Sequence, residues 1–152
     1  MDTEHLTSIL SGVAGEYFVA AELSKRGLIA SITLRNSKGV DILCSNSMAT
    51  KSVGIQVKTS KYSKAEWLLN KKSEDYYADN LFYVFVKLNN NQNSPDYFIV
   101  PSKVVAKATR EGHRHWLATL GRKGQKHNDS SMRVFGDKEG KYHGRWDLLK
   151  LN

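Results

Sequence analysis

A single cysteine, Cys44, stands in the 152-residue chain, so no internal disulfide can staple it and no cysteine-rich zinc site can form. Prolines are as scarce, with only Pro95 and Pro101 to punctuate the chain. No apolar run approaches the ~18 residues of a membrane-spanning helix, and the first 27 residues lack the basic start and continuous apolar stretch of a signal peptide. The expected location is the cytoplasm, with no membrane partner. Neither a P-loop nor a Gly-x-Gly-x-x-Gly run occurs, so ATP-driven work has no support. Internal repeats and low-complexity tracts are missing too.

Acidic residues are the remaining shortage. The chain has 15 Asp and Glu against 23 Lys and Arg, a formal charge of +8 and a pI near 9.6. The imbalance is local: residues 1–101 hold 11 basic and 10 acidic residues, whereas residues 102–152 hold 12 and 5. A last third carrying +7 of the charge suits a polyanion, and nucleic acid fits better than an anionic membrane because no basic helix there has a broad apolar face. What is present suffices for folding: 40% hydrophobic and 10% aromatic residues on a length suited to one domain.

Helical spacing of Leu6, Ile9, Leu10, Val13, Tyr17, Ala20 and Leu23 predicts a helix over residues 6–26, capped by Asp2 or Thr3 and stopped by Gly27. Strands are expected over residues 28–34 and 40–44 around a turn at 36–39, then over 53–59, with a fourth at 64–69. Residues 81–88 are β-branched or aromatic almost throughout, the pattern of a central strand covered on both faces. A strand at 97–100 precedes a helix running to about residue 120 with Ser102 as its cap. Residues 121–129 form a glycine-containing basic loop, and a short strand near 132–135 and a closing segment at 146–151 lie in an otherwise looser end. The expectation is one α/β domain of mixed α+β character, a central mixed sheet flanked by helices. Residues 6–100 would be its core, and residues 102–152 a basic helix with a C-terminal extension.

Certain polar residues sit where such a core would not choose them. Alternation over residues 53–59 puts Val53, Ile55 and Val57 on one face and Gly54, Gln56 and Lys58 on the other. An amide and an amine two residues apart on a buried strand need partners or a site; on a half-exposed strand they need only water. Asp41 lies in the apolar run Val40 to Cys44, either at an exposed strand end or aimed at a cation. Glu16 falls on the apolar stripe of the first helix, three residues after Val13 and four before Ala20, as a site acid or as one half of a core ion pair with Lys58. Glu22, about 120° further round, faces outward.

In chain order these residues are Gly15-Glu16 on a helix, Gly39-Val40-Asp41-Ile42-Leu43 on a strand, and Gln56-Val57-Lys58 on the next. This order resembles the PD-(D/E)XK phosphodiesterase superfamily, and more closely its small stand-alone bacterial members and Holliday junction resolvase-like enzymes. The resemblance implies a restriction-endonuclease-like αβββαβ core and in-line hydrolysis of a DNA phosphodiester by an endonuclease, with branched or structured DNA among its candidate substrates. It implies that Asp41, the side-chain oxygen of Gln56 and the backbone carbonyl of Val57 hold Mg²⁺ or Mn²⁺, hard cations that take oxygen ligands. Lys58 would orient the attacking water or take its proton, and Glu16 would serve a water of the coordination shell or a second ion.

Two departures stand out. The commonest form carries Asp or Glu at the position of Gln56; an amide is a weaker, neutral ligand, so metal affinity should fall. Val40 stands where a proline often precedes the acid. The alternative is therefore a nucleic-acid-binding module that keeps the nuclease fold with weak or no catalysis. Phosphate contacts are expected from Lys103, Lys107, Arg110 and Arg114, a single stripe at i, i+4, i+7 and i+11, and from Arg122, Lys123 and Lys126 after it. Lys38, Thr59 and Lys61, beside the motifs, join them. His113 and His115 are two residues apart and cannot share a helical face, so no histidine metal site is read there. Cutting both strands of a duplex would call for two active sites, hence a homodimer.

Overall fold

The computed structural model describes residues 6–34 and 37–152. Thr7 opens the first helix, α1 (Ser8–Lys25), its hydroxyl accepting the Leu10 N–H at 3.2 Å. Asp2 and Thr3, expected as caps, lie outside the described residues. The buried face of α1 is Ser11, Gly15, Val19 and Leu23; of the expected apolar stripe Leu23 is buried and Leu6 and Ala20 pack against the core, while Ile9, Leu10 and Tyr17, like Phe18, are exposed. Small residues at that spacing bring the helix down onto the sheet. A Cβ at Gly15 would sit 1.8 Å from Thr59 Oγ1 and 3.0 Å from Thr59 Cβ, so only glycine allows this approach.

β1 (Ile29–Ile32), β2 (Ile42–Ser45) and β3 (Ser52–Ser60) form an antiparallel meander. β5 (Leu81–Lys87) lies parallel to β3, and β6 (Asp96–Pro101) antiparallel to β5, giving a mixed five-stranded sheet in the order β1-β2-β3-β5-β6. A parallel pair needs a long crossover. Here it runs through β4 (Glu66–Asn70) and a 3₁₀ turn, Lys71–Glu74, where the αβββαβ order has a helix. The second helix, α2 (Ser102–Ala118), instead follows β6. β4 leaves the main sheet to pair with β7 (Met132–Gly136) as a two-stranded ribbon. Ser102, expected as a cap, is the first helical residue after Pro101; its hydroxyl donates to the Ala78 carbonyl and accepts the Ala78 N–H.

All of Leu81–Val86 is buried, so β5 has a core on each face. Val84 and Val86 pack with Val19 and Leu23 of α1 and with Ile55 and Val57 of β3. Leu149 and Leu151, at the end of the chain, close the same layer. Tyr83 and Phe85 face an aromatic cluster of Trp67, Phe98 and Phe135 under the ribbon and α2. Phe85 stacks on Phe135 at 4.6 Å between centroids, and Trp67 Nε1 donates to the Val86 carbonyl at 2.9 Å. The C-terminal extension is thus built into both cores through Phe135, Leu149 and Leu151 rather than trailing from them.

Gly15→Ala should destabilise the protein by about 1–3 kcal/mol, because overpacking outweighs the ~0.5–1 kcal/mol that alanine gains over glycine inside a helix. Adding Thr59→Ala should return most of that loss; denaturation of the single and double variants that shows simple additivity would refute the contact. At the far end of β6, burial alone would raise the Asp96 carboxyl, but hydrogen bonds from Asn89, His143 and Lys87 outweigh it and hold the pKa at about 2. A depressed carboxyl contributes stability above its unfolded value, about 4, and loses it as pH falls through about 2. Asp96→Asn should therefore lower Tm at neutral pH and leave it nearly unchanged near pH 2, as thermal melts across that range would show.

Candidate active site

β2 pairs with β3 only as far as Ile42 opposite Ile55. Asp41 sits one residue before the strand rather than within it, its N–H donating to the Ile55 carbonyl at 2.8 Å and its carbonyl accepting from Thr33. Beyond that point β3 has no backbone partner on this edge among the described residues, and the Asp41 side chain supplies one: Oδ2 accepts the Val57 N–H at 2.7 Å. The Val57 carbonyl points to the same edge, since the N–H and C=O of one strand residue share a side. Burial pushes the Asp41 carboxyl up, against the Val57 N–H and the Lys58 charge, which both favour its ionised form.

Glu16 and Asp41 line one cavity of about 290 Å³, with Ser8, Gly12, Thr33 and Ser37 around them. The helical acid and the strand acid therefore converge from opposite sides of the α1–sheet seam. Lys58 lies within electrostatic reach of Asp41 but lines the neighbouring groove, and Ser8 borders both spaces. Gln56 is half-buried on the face of β3 that carries Lys58, opposite Tyr83 in the β3–β5 register, and lines neither space. Thr59 borders the groove too, yet its hydroxyl is buried against Gly15 without a hydrogen-bond partner, which makes that hydroxyl a packing contact rather than one for nucleic acid.

Tyr76, in the crossover after the 3₁₀ turn, is the neighbour that spacing could not have found. Its phenol lies against Gly39, where a Cβ would meet Oη at 2.3 Å, and Gly39 itself has φ +77°. Burial, then the charge of Asp41, pushes the phenol pKa up. No sequence signal links residue 76 to residue 41, because the crossover geometry alone brings them together.

The basic residues divide. Lys103 pairs with Asp79 at the opposite end of β3, near Val53, and the Arg110 guanidinium donates to the Glu74 carbonyl at 2.8 Å. Arg133, among the basic residues of the last third, is buried in a bond to Glu74. Lys38, Lys61, Lys107, Arg114, Arg122, Lys123 and Lys126 are exposed. Among the described residues no three His, Cys, Asp or Glu side chains lie together as a metal cage. The donors at the seam are all oxygen, from two carboxylates and a backbone carbonyl. That set fits a hard divalent cation such as Mg²⁺, which is held by one or two carboxylates and keeps several waters, and does not fit zinc. Among the described residues no helix is long and apolar enough to cross a membrane.

The fold, a mixed sheet with Asp41 just before its second strand, Gln56-Val57-Lys58 on its third and Glu16 on the first helix, is restriction-endonuclease-like. The chain is similar in structure to a bacterial homing endonuclease, I-Ssp6803I, at a TM-score of 0.58 and 12% identity, covering 95% of this chain and 92% of that one. It is also similar to Hjc, a Holliday junction resolvase of Archaeoglobus fulgidus, at a TM-score of 0.49 and 14% identity over 83% of this chain and 84% of that one. No protein-family model and no curated protein matches the sequence.

Burying a carboxylate without a full set of partners for its charge weakens the fold that holds it. In buffer containing EDTA, Asp41→Asn should raise Tm by a few degrees, since the amide oxygen still accepts the Val57 N–H and the desolvated charge is gone. An unchanged or lower Tm would show that the charge itself stabilises the native state.

Proposed function

We propose that the protein is a metal-dependent endonuclease that hydrolyses phosphodiester bonds in DNA. The observation that supports this most directly is the convergence of Glu16 and Asp41 on one cavity, beside Lys58, in a fold shared with a homing endonuclease. Asp41 and Glu16, with the Val57 carbonyl, would hold a divalent cation, Mg²⁺ or Mn²⁺. When bound, the cation supplies charge that offsets what develops on the phosphate in the transition state.

The chain's own residues do the rest. Val57 N–H fixes the Asp41 carboxylate at the strand edge, so the acid needs no reorganisation to meet its ligand. Lys58 holds the attacking water on the far side of the phosphate from the leaving oxygen, or takes its proton. Ser8, on the rim between the two spaces, is placed to hydrogen-bond a non-bridging phosphate oxygen. The exposed lysines and arginines of α2 and its following loop, Lys107, Arg114, Arg122, Lys123 and Lys126, add sequence-independent attraction for the DNA backbone. Two copies would be required to cut both strands of a duplex at one position.

The position of Gln56, outside both spaces, together with a set of only two carboxylates, favours a second reading: a DNA-binding module on this fold with little catalysis. Plasmid nicking separates the two. Wild-type protein with Mg²⁺ or Mn²⁺ should nick supercoiled DNA at a rate that falls by about 10²–10⁴ in Asp41→Ala and Lys58→Ala, both still folded by circular dichroism. If the wild type cuts no faster than either variant on duplex, branched and single-stranded DNA, the enzyme gives way to the binding module.

A further inference from the structure

The groove beside the acid cavity has a volume of about 680 Å³, in the range of sites that enclose a small organic ligand. Its rim carries three ammonium groups within seven residues, Lys58, Lys61 and Lys64, against one carboxylate, Glu66. Lys64 pairs with Glu66 at 3.1 Å, yet its side chain is 67% exposed, so an incoming phosphate can draw it away. The walls are not those of a phosphate track alone. Tyr62 is 61% exposed and Leu68 65% exposed, and the buried Trp67 lies beneath. An aromatic ring and an aliphatic wall add nothing to backbone contact with a duplex, whose bases are stacked inside, but they suit a base with a free face. Lys61 Nζ lies 5.4 Å from the Tyr62 ring centroid, leaving the opposite face of the ring for such a base. Ser8 borders this groove and the acid cavity together, so a nucleotide seated here is adjacent to the phosphate that would be cut.

We propose that this groove holds one unpaired nucleotide next to the scissile phosphate, its base stacked on Tyr62 and its own phosphate between Lys61 and Lys64. The substrate is then DNA with unpaired nucleotides at the cut, a single strand or a splayed branch, and not continuous duplex. The proposal rests on the nuclease reading for its substrate role, but the binding it requires is independent of catalysis.

The test is therefore made on binding. Fluorescence anisotropy in EDTA would compare three probes of equal length: a single strand, a matched duplex, and a duplex ending in splayed unpaired arms with 2-aminopurine at the first unpaired position. The full-length protein should bind the single strand and the splayed probe at least about tenfold more tightly than the duplex at moderate salt, and should change the 2-aminopurine fluorescence as the base stacks. Tyr62→Ala should lose that spectral change and about tenfold in affinity for the unpaired probes while leaving duplex affinity alone; Tyr62→Phe should keep both. Lys61→Ala with Lys64→Ala should weaken the same probes and reduce their salt dependence, whereas Lys107→Ala with Arg114→Ala should weaken all three alike. Equal wild-type affinity for duplex and unpaired DNA, or a Tyr62→Ala loss that is the same on every probe, would overturn the proposal. Asp41→Ala should retain the preference. If it does and no protein cuts DNA, the nuclease reading fails and the nucleotide groove stands.

Discussion

β5 imposes the architecture, because six consecutive buried residues, Leu81–Val86, need an apolar layer on each side. One layer is α1 with the chain's last residues, Leu149 and Leu151. The other is shared between elements, since Tyr83 and Phe85 stand in one cluster with residues of β4, β6, β7 and α2. The β4–β7 ribbon and α2 cover them jointly through Trp67, Phe135 and Val105. That requirement explains why the crossover between β3 and β5 contains a strand and a 3₁₀ turn. It also explains why the basic end of the chain is woven into the core before any of it reaches solvent.

The candidate site lies where this packing leaves an edge unfinished. β2 ends at Ile42, and the Asp41 carboxylate takes over the hydrogen bond that another strand residue would have made to Val57. The geometry holds the acid rigidly, and burial raises the free energy of its charge. α1 is drawn close by Gly15, which puts Glu16 at the same seam. Close helix packing and a convergent acid pair are thus one feature seen from two sides: a larger residue at position 15 would lift the helix and its carboxylate away together.

The distribution of positive charge acquires a different meaning in three dimensions. Of the last third's basic residues, Arg133 and Arg110 brace the 3₁₀ turn at Glu74, and Lys103 is paired with Asp79 away from the acids. The ammonium groups that border the groove beside the acid cavity come instead from the almost neutral first two thirds, where Lys58, Lys61 and Lys64 share a rim. A sum over sequence counts all of these equally. Solvent exposure and distance from the acids do not.

Much was legible before folding was considered. Alternation over β3 holds, with Val53, Ile55 and Val57 buried together, and the apolar run of residues 81–88 is an inner strand covered on both faces, although the middle strand of the sheet is β3. The order Glu16, Asp41, Gln56, Lys58 led to the restriction-endonuclease-like fold. By contrast, the buried face of α1 matches the expected stripe only in part: Leu23 is buried and Leu6 and Ala20 pack against the core, but Ile9 and Tyr17 are exposed and the close approach of Thr59 selects Gly15. Tyr76, Tyr62 and the groove were invisible, being assembled from residues that carry no shared period. The sequence alone determined which segments become strands and helices and which polar residues interrupt them, because those are matters of local periodicity and side-chain chemistry. Only the tertiary structure decided which faces meet, which cations remain exposed and which acids share a cavity. These depend on how closely distant segments can approach, a question settled by volumes such as the missing side chain of Gly15.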